Sequence, residues 1–393
     1  METTIKPFQR VASIDAYRGF VMLLMMAEVL NFSAVSSAIP DSGFWAFMDW
    51  HQSHVSWVGC SLHDLIQPSF TFLVGVALPY SLASRTMRDQ RKTQIWFHTI
   101  KRSLILVLLG IFLRSMHHEQ TNFTFEDTLT QIGLGYPILF ALGTKSEKFQ
   151  WSTLVILLIG YWAFFAFYPL PTIYFDWTET GTTADWQHNL QGFAAHWNKN
   201  TNAAWAFDRW FMNLFPRESP FRYNSGGYST LSFIPTLGTM ILGLIAGSWL
   251  RNKPDQFLRN SLITAAVLFS TAILLNITGI NPIVKRIWTP AWTLFSGGWA
   301  FLLLVLFYLL ADKLNYKKFF YLLIVIGTNS IVAYVMAHTI NDLIDESFRI
   351  NISPNYDLLF GVPYKTIVSG FIILAVEWFI LRWMYKKKIF VKI

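Results

Sequence analysis

The sequence predicts an all-α, polytopic membrane protein with about ten transmembrane helices and both termini on the cytoplasmic side. Three observations predict it. Apolar residues make up 53% of the chain and charged residues 14%, more apolar surface than a soluble domain of this length can hide. Those residues gather into about ten runs near the ~20-residue length that crosses a bilayer. Lysine and arginine alternate across the runs in the sense that the positive-inside rule requires.

The first run centres on Leu24, opens with Asp15 and Arg18 one turn apart, and carries Glu28 and Asn31 toward its far end. The stretch Val35 to His63 holds no Lys or Arg, and its Trp45, Trp50 and Trp57 suit an interfacial aromatic belt, so it is expected to lie against the membrane. The second run centres on Val74, follows His51, His54, His63 and Asp64, and contains no charge. Basic residues from Arg85 to Arg102 lead into the third run at Val107, and Lys145 and Lys148 separate the fourth and fifth at Ile138 and Leu157. A polar segment, about 169–228, interrupts the series as an extracytoplasmic loop. Its Trp177, Trp186, Trp197, Trp205 and Trp210 suit either stacking on sugar rings or packing on the helices, and both readings stay open.

The sixth run, at Met240, is rich in glycines that permit close helix packing. The seventh and eighth centre on Leu268 and Leu302. The ninth, at Ile331, is broken by Asn329 and Ser330 after Gly327, a polar pair that either joins helices or lines a cavity. The tenth, at Leu374, holds Glu377, read as the partner of a neighbouring helix or of Arg382, and ends in Lys386, Lys387 and Lys388.

With the N-terminus inside, twenty basic residues from Lys6 to Lys392 fall on inner flanks. Nine fall outside: Arg114, Lys199, Arg209, Arg217, Arg222, Lys285, Arg286, Arg349 and Lys365, four of them in the long loop, where the rule is weak. The chain therefore reads as one transmembrane domain, 1–393, with no cleaved leader in its first residues. The net charge of +8 belongs to this bias rather than to nucleic-acid binding. Cys60 is the single cysteine, which excludes an intramolecular disulfide and a thiolate metal site. The three nearby histidines lack metal-ligand spacing, so no metal is expected, and no P-loop, GxSxG, HExxH or dinucleotide motif is present.

The candidate reacting centre is the polar rim before the second run. Histidine titrates nearest neutrality, and a carboxylate close by fixes its tautomer. His54 and Asp64 supply that pairing, with His63 and Trp57 beside them and Glu28 and Asn31 at the same outer rim. A charge inside a span costs about 2.5–3.5 kcal/mol on insertion scales, so Asp15, Arg18, Glu28 and Glu377 are expected to face the bundle interior and pair. Asp15 and Arg18 form either a self-neutralising helix anchor or, through Arg18, a contact to an anionic ligand.

Six stretches carry a likeness that spans nearly the whole chain in order: SIDAYRG, HVSWVGCSLHDLIQPSFTFLVGVAL, GYSTLSFIPTLGTMILGLIAG, IWTPAWTLFSGGWAFLLL, GTNSIVAYV and YKKKIFVKI. Together they resemble the heparan-alpha-glucosaminide N-acetyltransferase family, transmembrane acyltransferases. The resemblance implies transfer of an acetyl group from cytoplasmic acetyl-CoA to the amine of a glucosamine-like sugar on the periplasmic side. It also implies a bacterial member in the inner membrane, in contact with lipid, accepting an amino sugar or glycan, and forming a homodimer. By the same likeness His54, ahead of Ser56, Trp57 and Gly59, matches the active-site histidine, as base or acetyl carrier; Asp64 orients it and Asn31 corresponds to an asparagine ending the first span. Arg18, Lys101 and Arg102, with Asn329 and Ser330, are expected to hold the CoA, and Glu28, Trp57 and His63 the acceptor. Thr130 and Gln131 stand where lysosomal members have Gln-Arg, and His338 falls one residue off the family histidine and is not counted in the site. Two rivals remain: O-acetylation of a cell-envelope polysaccharide, and a secondary transporter using Asp15, Arg18, Glu28 and Glu377 as a relay.

Overall fold

The computed structural model describes residues 11–87 and 91–391. The inner-flank residues Lys6, Arg10, Arg88 and Lys392, and the leader-free reading of the first ten residues, lie outside them. Every regular element among the described residues is a helix. In order these are α1 (Ala12–Met26), α2 (Phe32–Ala38), α3 (Gly43–Gln52), α4 (Ile66–Met87), α5 (Lys92–Ser115), α6 (Thr128–Leu142), α7 (Glu147–Ala166) and α8 (Ala203–Phe211). They continue with α9 (Phe233–Asn252), α10 (Pro254–Ile277), α11 (Pro290–Phe307), α12 (Tyr321–Thr328), α13 (Ser330–Thr339), α14 (Asn341–Asn351) and α15 (Lys365–Lys386).

Fewer candidate spans stand out than the ten or so expected. Among the described residues seven helices are long and apolar enough to cross a membrane, and nine if two bent pairs each make one span. The first pair bends by 41° between Leu30 and Phe32, where Asn31 takes a left-handed φ of 46°; the second bends by 83° at Asn329, between α12 and α13. The run at Ile138 folds as α6, whose 15 residues reach about 22 Å, short of the ~30 Å hydrocarbon thickness. Asp127 starts α6 late by capping the amides of Leu129 and Thr130, and Gly143 and Lys145 close it.

The bundle is built around α9, whose span is 83% buried, against 22% for α5 and for α10. Glycine explains how closely α4 and α9 approach: a Cβ at Gly75 would stand 2.0 Å from Met240 O, and one at Gly243 would stand 1.9 Å from Phe72 O. The same device joins α1 to α12, where a Cβ at Gly19 or Gly327 would strike the backbone carbonyls of Leu323 or Asp15. Outside this core, α5, α7 and α10 turn Leu108, Phe112, Ile156, Ile159, Val267 and Leu274 outward. Such apolar outer faces need a hydrocarbon solvent, and the protein is a multi-pass membrane protein.

The segment between α7 and α9 folds down on one end of the bundle. Trp197 is fully buried with Tyr161, Phe165, Val284 and Ile287, and Trp57 joins them through a hydrogen bond from Nε1 to Trp197 O of 3.0 Å. Of the two readings left open for its tryptophans, packing holds for Trp197 and Trp205, whereas Trp210 is exposed.

Candidate active site

Two segments far apart in the chain build the site. After α3 the backbone turns extended at Ser53 and runs irregularly to Ser61. There it pairs with the connection between α10 and α11: Gly59 N donates to Ile283 O (3.1 Å), and Val58 and Val284 form an antiparallel bridge. Gly59 adopts φ 126°, a conformation open to glycine and strained for other residues. Arg286 fastens the junction, donating to Val55 O at 3.2 Å and to Gly226 O at 2.7 Å. His54 and Lys285 consequently face each other.

Asp64, in the helical turn that leads into α4, is 1% exposed and takes its partners from both segments. Its Oδ2 accepts from Ser61 N (3.0 Å), Ser61 Oγ (3.0 Å) and Val55 N (3.3 Å). Its Oδ1 accepts from His54 Nδ1 at 2.8 Å and lies 3.4 Å from Lys285 Nζ. A carboxylate bound to Nδ1 fixes the tautomer and leaves Nε2 as the basic nitrogen. Burial lowers the His54 pKa below the ordinary histidine value; Asp64 opposes this, and Lys285 and Arg286 add to it. About a third of the His54 side chain (34%) stays open. The neutral imidazole is thus favoured and reachable, which is what a general base needs.

His54 lines a cavity of about 450 Å³. His63 stands beside it, with ring centroids 4.5 Å apart, and its Nε2 lies 3.3 Å from Glu28 Oε1. The lining also includes Arg114, Glu126, Asn224, Tyr228 and His338, with the apolar Met22, Phe70 and the Tyr334 ring. Glu126 accepts from Phe125 N and from the Thr124 hydroxyl, and Asn224 Nδ2 approaches it at 3.4 Å. Burial raises its pKa. Asn224 in turn holds the loop over the cavity, its Oδ1 accepting from Gly226 N and Tyr228 N.

Four expected site residues therefore come together: His54, Asp64, His63 and Glu28. The others lie off this cavity's lining. Asn31 is exposed and caps α2, its Oδ1 accepting from Ala34 N. The Trp57 indole is 1% exposed and bonded to Trp197, so it packs. Arg18 lies 3.4 Å from Asp15, Lys101 is exposed, and Arg102 donates to Tyr136 Oη at 3.1 Å with its guanidinium over that ring. Asn329 spends its amide on the C-terminal segment, donating to Ile389 O and accepting from Val391 N, and Ser330 starts α13 half-buried. The reading along the chain missed Lys285, Arg114, Tyr228 and His338 as site residues. For Lys285 one signal existed: two adjacent basic residues in a short connection on the face otherwise poor in them. Among the described residues no group of three or more His, Cys, Asp or Glu is arranged to hold a metal ion.

No family model matches the chain. It is similar to heparan-alpha-glucosaminide N-acetyltransferase from Homo sapiens, 23% identical over 431 residues that cover 98% of this chain and 60% of that protein. The protein of the same name from Mus musculus is 22% identical over 441 residues, covering 100% of this chain and 62% of its own length. The chain thus spans about three-fifths of the length of these relatives.

Proposed function

We propose that this protein is a membrane acetyltransferase that passes an acetyl group from acetyl-CoA to the amine of an amino sugar, with His54 as the reacting base. One observation carries the reading: an imidazole held at Nδ1 by a buried carboxylate 2.8 Å away opens onto a cavity of about 450 Å³, within the size range that small ligands occupy. The end-to-end likeness to proteins named as N-acetyltransferases of a glucosaminide supports the class.

An amine attacks a thioester only once it has lost its extra proton. The free amine, its ammonium proton already lost to solvent, attacks the carbonyl; as the N–C bond forms, His54 Nε2 takes a second proton from the nitrogen, and the carbonyl becomes an oxyanion. Collapse breaks the C–S bond, and the proton passes from the imidazolium to the departing thiolate, leaving an amide and a free thiol. The alternative has Nε2 take the acetyl first and hand it on. Direct transfer is preferred because it needs a single site occupied by two ligands. Glu28 and His63, on the same wall as His54, are the acceptor contacts in this reading. Asn31, engaged in capping α2, is given no part in the transfer.

The donor would come from the cytoplasmic side, with Arg18, Lys101 and Arg102 for its phosphates. At the level of Arg18, one turn beyond Met22, the buried Tyr17 hydroxyl donates to Ser69 Oγ (2.8 Å) and its ring stacks on Phe307. Entry of the pantetheine arm in this reading displaces that contact.

The test is purified protein in lipid nanodiscs with acetyl-CoA and a panel of amino sugars, products read by mass spectrometry. N-acetylation of glucosamine is expected, with a fall of about 10²–10⁴ for His54→Ala. Acetylation of a sugar already blocked at nitrogen would move the reading to O-acetylation, and near-normal turnover by folded His54→Ala would end His54's part in it.

A further inference from the structure

We propose that Lys285 is a positioning residue for the transfer: its ammonium, within 3.4 Å of Asp64 and of both nitrogens of the His54 ring, favours the neutral ring, with Nδ1 on Asp64 and Nε2 left unprotonated. The inference deepens the acetyl-transfer reading and rests on it for its catalytic meaning.

The geometry is specific. Lys285 Nζ lies 3.1 Å from His54 Nδ1, 3.4 Å from Nε2 and 3.4 Å from Asp64 Oδ1. Lys285 is 4% exposed, so little water screens the charge. Its backbone cannot drift, because Gly59 N binds Ile283 O, Thr289 Oγ accepts from Val284 N, and Arg286 is tied to Val55 and Gly226. A lysine serving only to neutralise Asp64 needs no contact with the ring. Here a positive charge stands against the very group that becomes positive when it accepts a proton.

The other groups facing His54 do not replace it. Asp64 favours the imidazolium, His63 stands 4.5 Å away ring to ring with Glu28 behind it, the Tyr228 ring is at 6.5 Å, and Arg286 acts from farther off in the same sense as Lys285. Burial is the largest influence that favours the neutral ring, Asp64 pulls the other way, and Lys285 works against that pull from the shortest distance of any cation. Lys285 offsets Asp64, so the carboxylate can orient the ring without charging it. Burial lowers Lys285's own pKa, and the ion pair to Asp64 opposes that and favours the ammonium.

The experiment titrates His54 directly. Diethyl pyrocarbonate acylates only neutral imidazole, and peptide mass spectrometry gives its rate at His54 against pH in the full-length protein, independent of turnover. Lys285→Met is expected to raise the midpoint of His54 by about one unit or more, and Lys285→Arg to restore it toward wild type. In the transfer assay the acid limb of kcat/KM moves up by the same interval, so Lys285→Met loses about tenfold more activity below the midpoints than above them. If Lys285→Met is not monodisperse, Lys285→Gln carries the same comparison. A midpoint unmoved in the folded variant, or an equal loss at every pH, overturns the proposal. A wild-type protein that transfers no acetyl sinks the acetyltransferase reading instead, while the labelling still decides what Lys285 does to His54.

Discussion

One carboxylate organises the candidate site. Asp64 binds the Ser61 amide and hydroxyl and the Val55 amide through Oδ2, and His54 and Lys285 through Oδ1. Asp64→Asn keeps the shape and removes the charge, so two losses are expected. Activity should fall by about 10² or more because the tautomer of His54 is no longer fixed. Stability should also fall, since breaking a buried pair by removing one partner costs about 3–5 kcal/mol. Lys285→Met added to Asp64→Asn should recover much of the thermal stability and none of the rate, a non-additivity read by melting the four proteins of the cycle. Full additivity would mean that the two side chains do not share a network. His54 and Asp64 were legible along the chain because both lie on one continuous stretch ten residues apart. Lys285 lies 231 positions from His54, and no local pattern relates them.

At the scale of elements, the segment over the cavity is held by a group that titrates near neutrality. Asp208, on α8, is 3% exposed, and its Oδ2 accepts from Thr230 N at 2.9 Å where the chain enters α9. Burial raises its pKa from the ordinary 3.8 to about 7. Because the folded value lies above the unfolded one, its favourable contribution is complete below about 3.8 and is lost as pH rises through about 7. The melting temperature should therefore decline between pH 5 and 8. Asp208→Asn, which keeps an acceptor for Thr230, should flatten that decline and melt about 2–4 °C or more higher at pH 8. An unchanged slope would show that Asp208 is not the titrating group. Spans such as α9 and α11 were readable as apolar runs because bilayer thickness acts on each alone. The 83° bend was not: Asn329 and Ser330 announced an interruption, but neither its angle nor the contact of Asn329 with Ile389 and Val391, some sixty residues on, is written in the local sequence.

For the whole molecule, the ends of α1, α5 and α13, the starts of α4 and α6, and the segments that precede α9 and α11 meet around one cavity. In the proposed reading, that end is the outer one, as the alternation of Lys and Arg leads one to expect. Transfer should then require acetyl-CoA on the face bearing Lys386, Lys387 and Lys388 and acceptor on the other. Inverted and right-side-out vesicles separate the cases, and product formed with both substrates supplied only on the cavity side would contradict the assignment. Composition and hydropathy by themselves determined that this is a helical membrane protein, because burial in lipid constrains each segment independently of the rest, and local sequence put His54 beside Asp64 in one stretch. Tertiary structure alone decided which polar residues meet. Ion pairs form across space, so Lys285 joins His54 while Asn31, Trp57 and Asn329 go to caps, core and chain end.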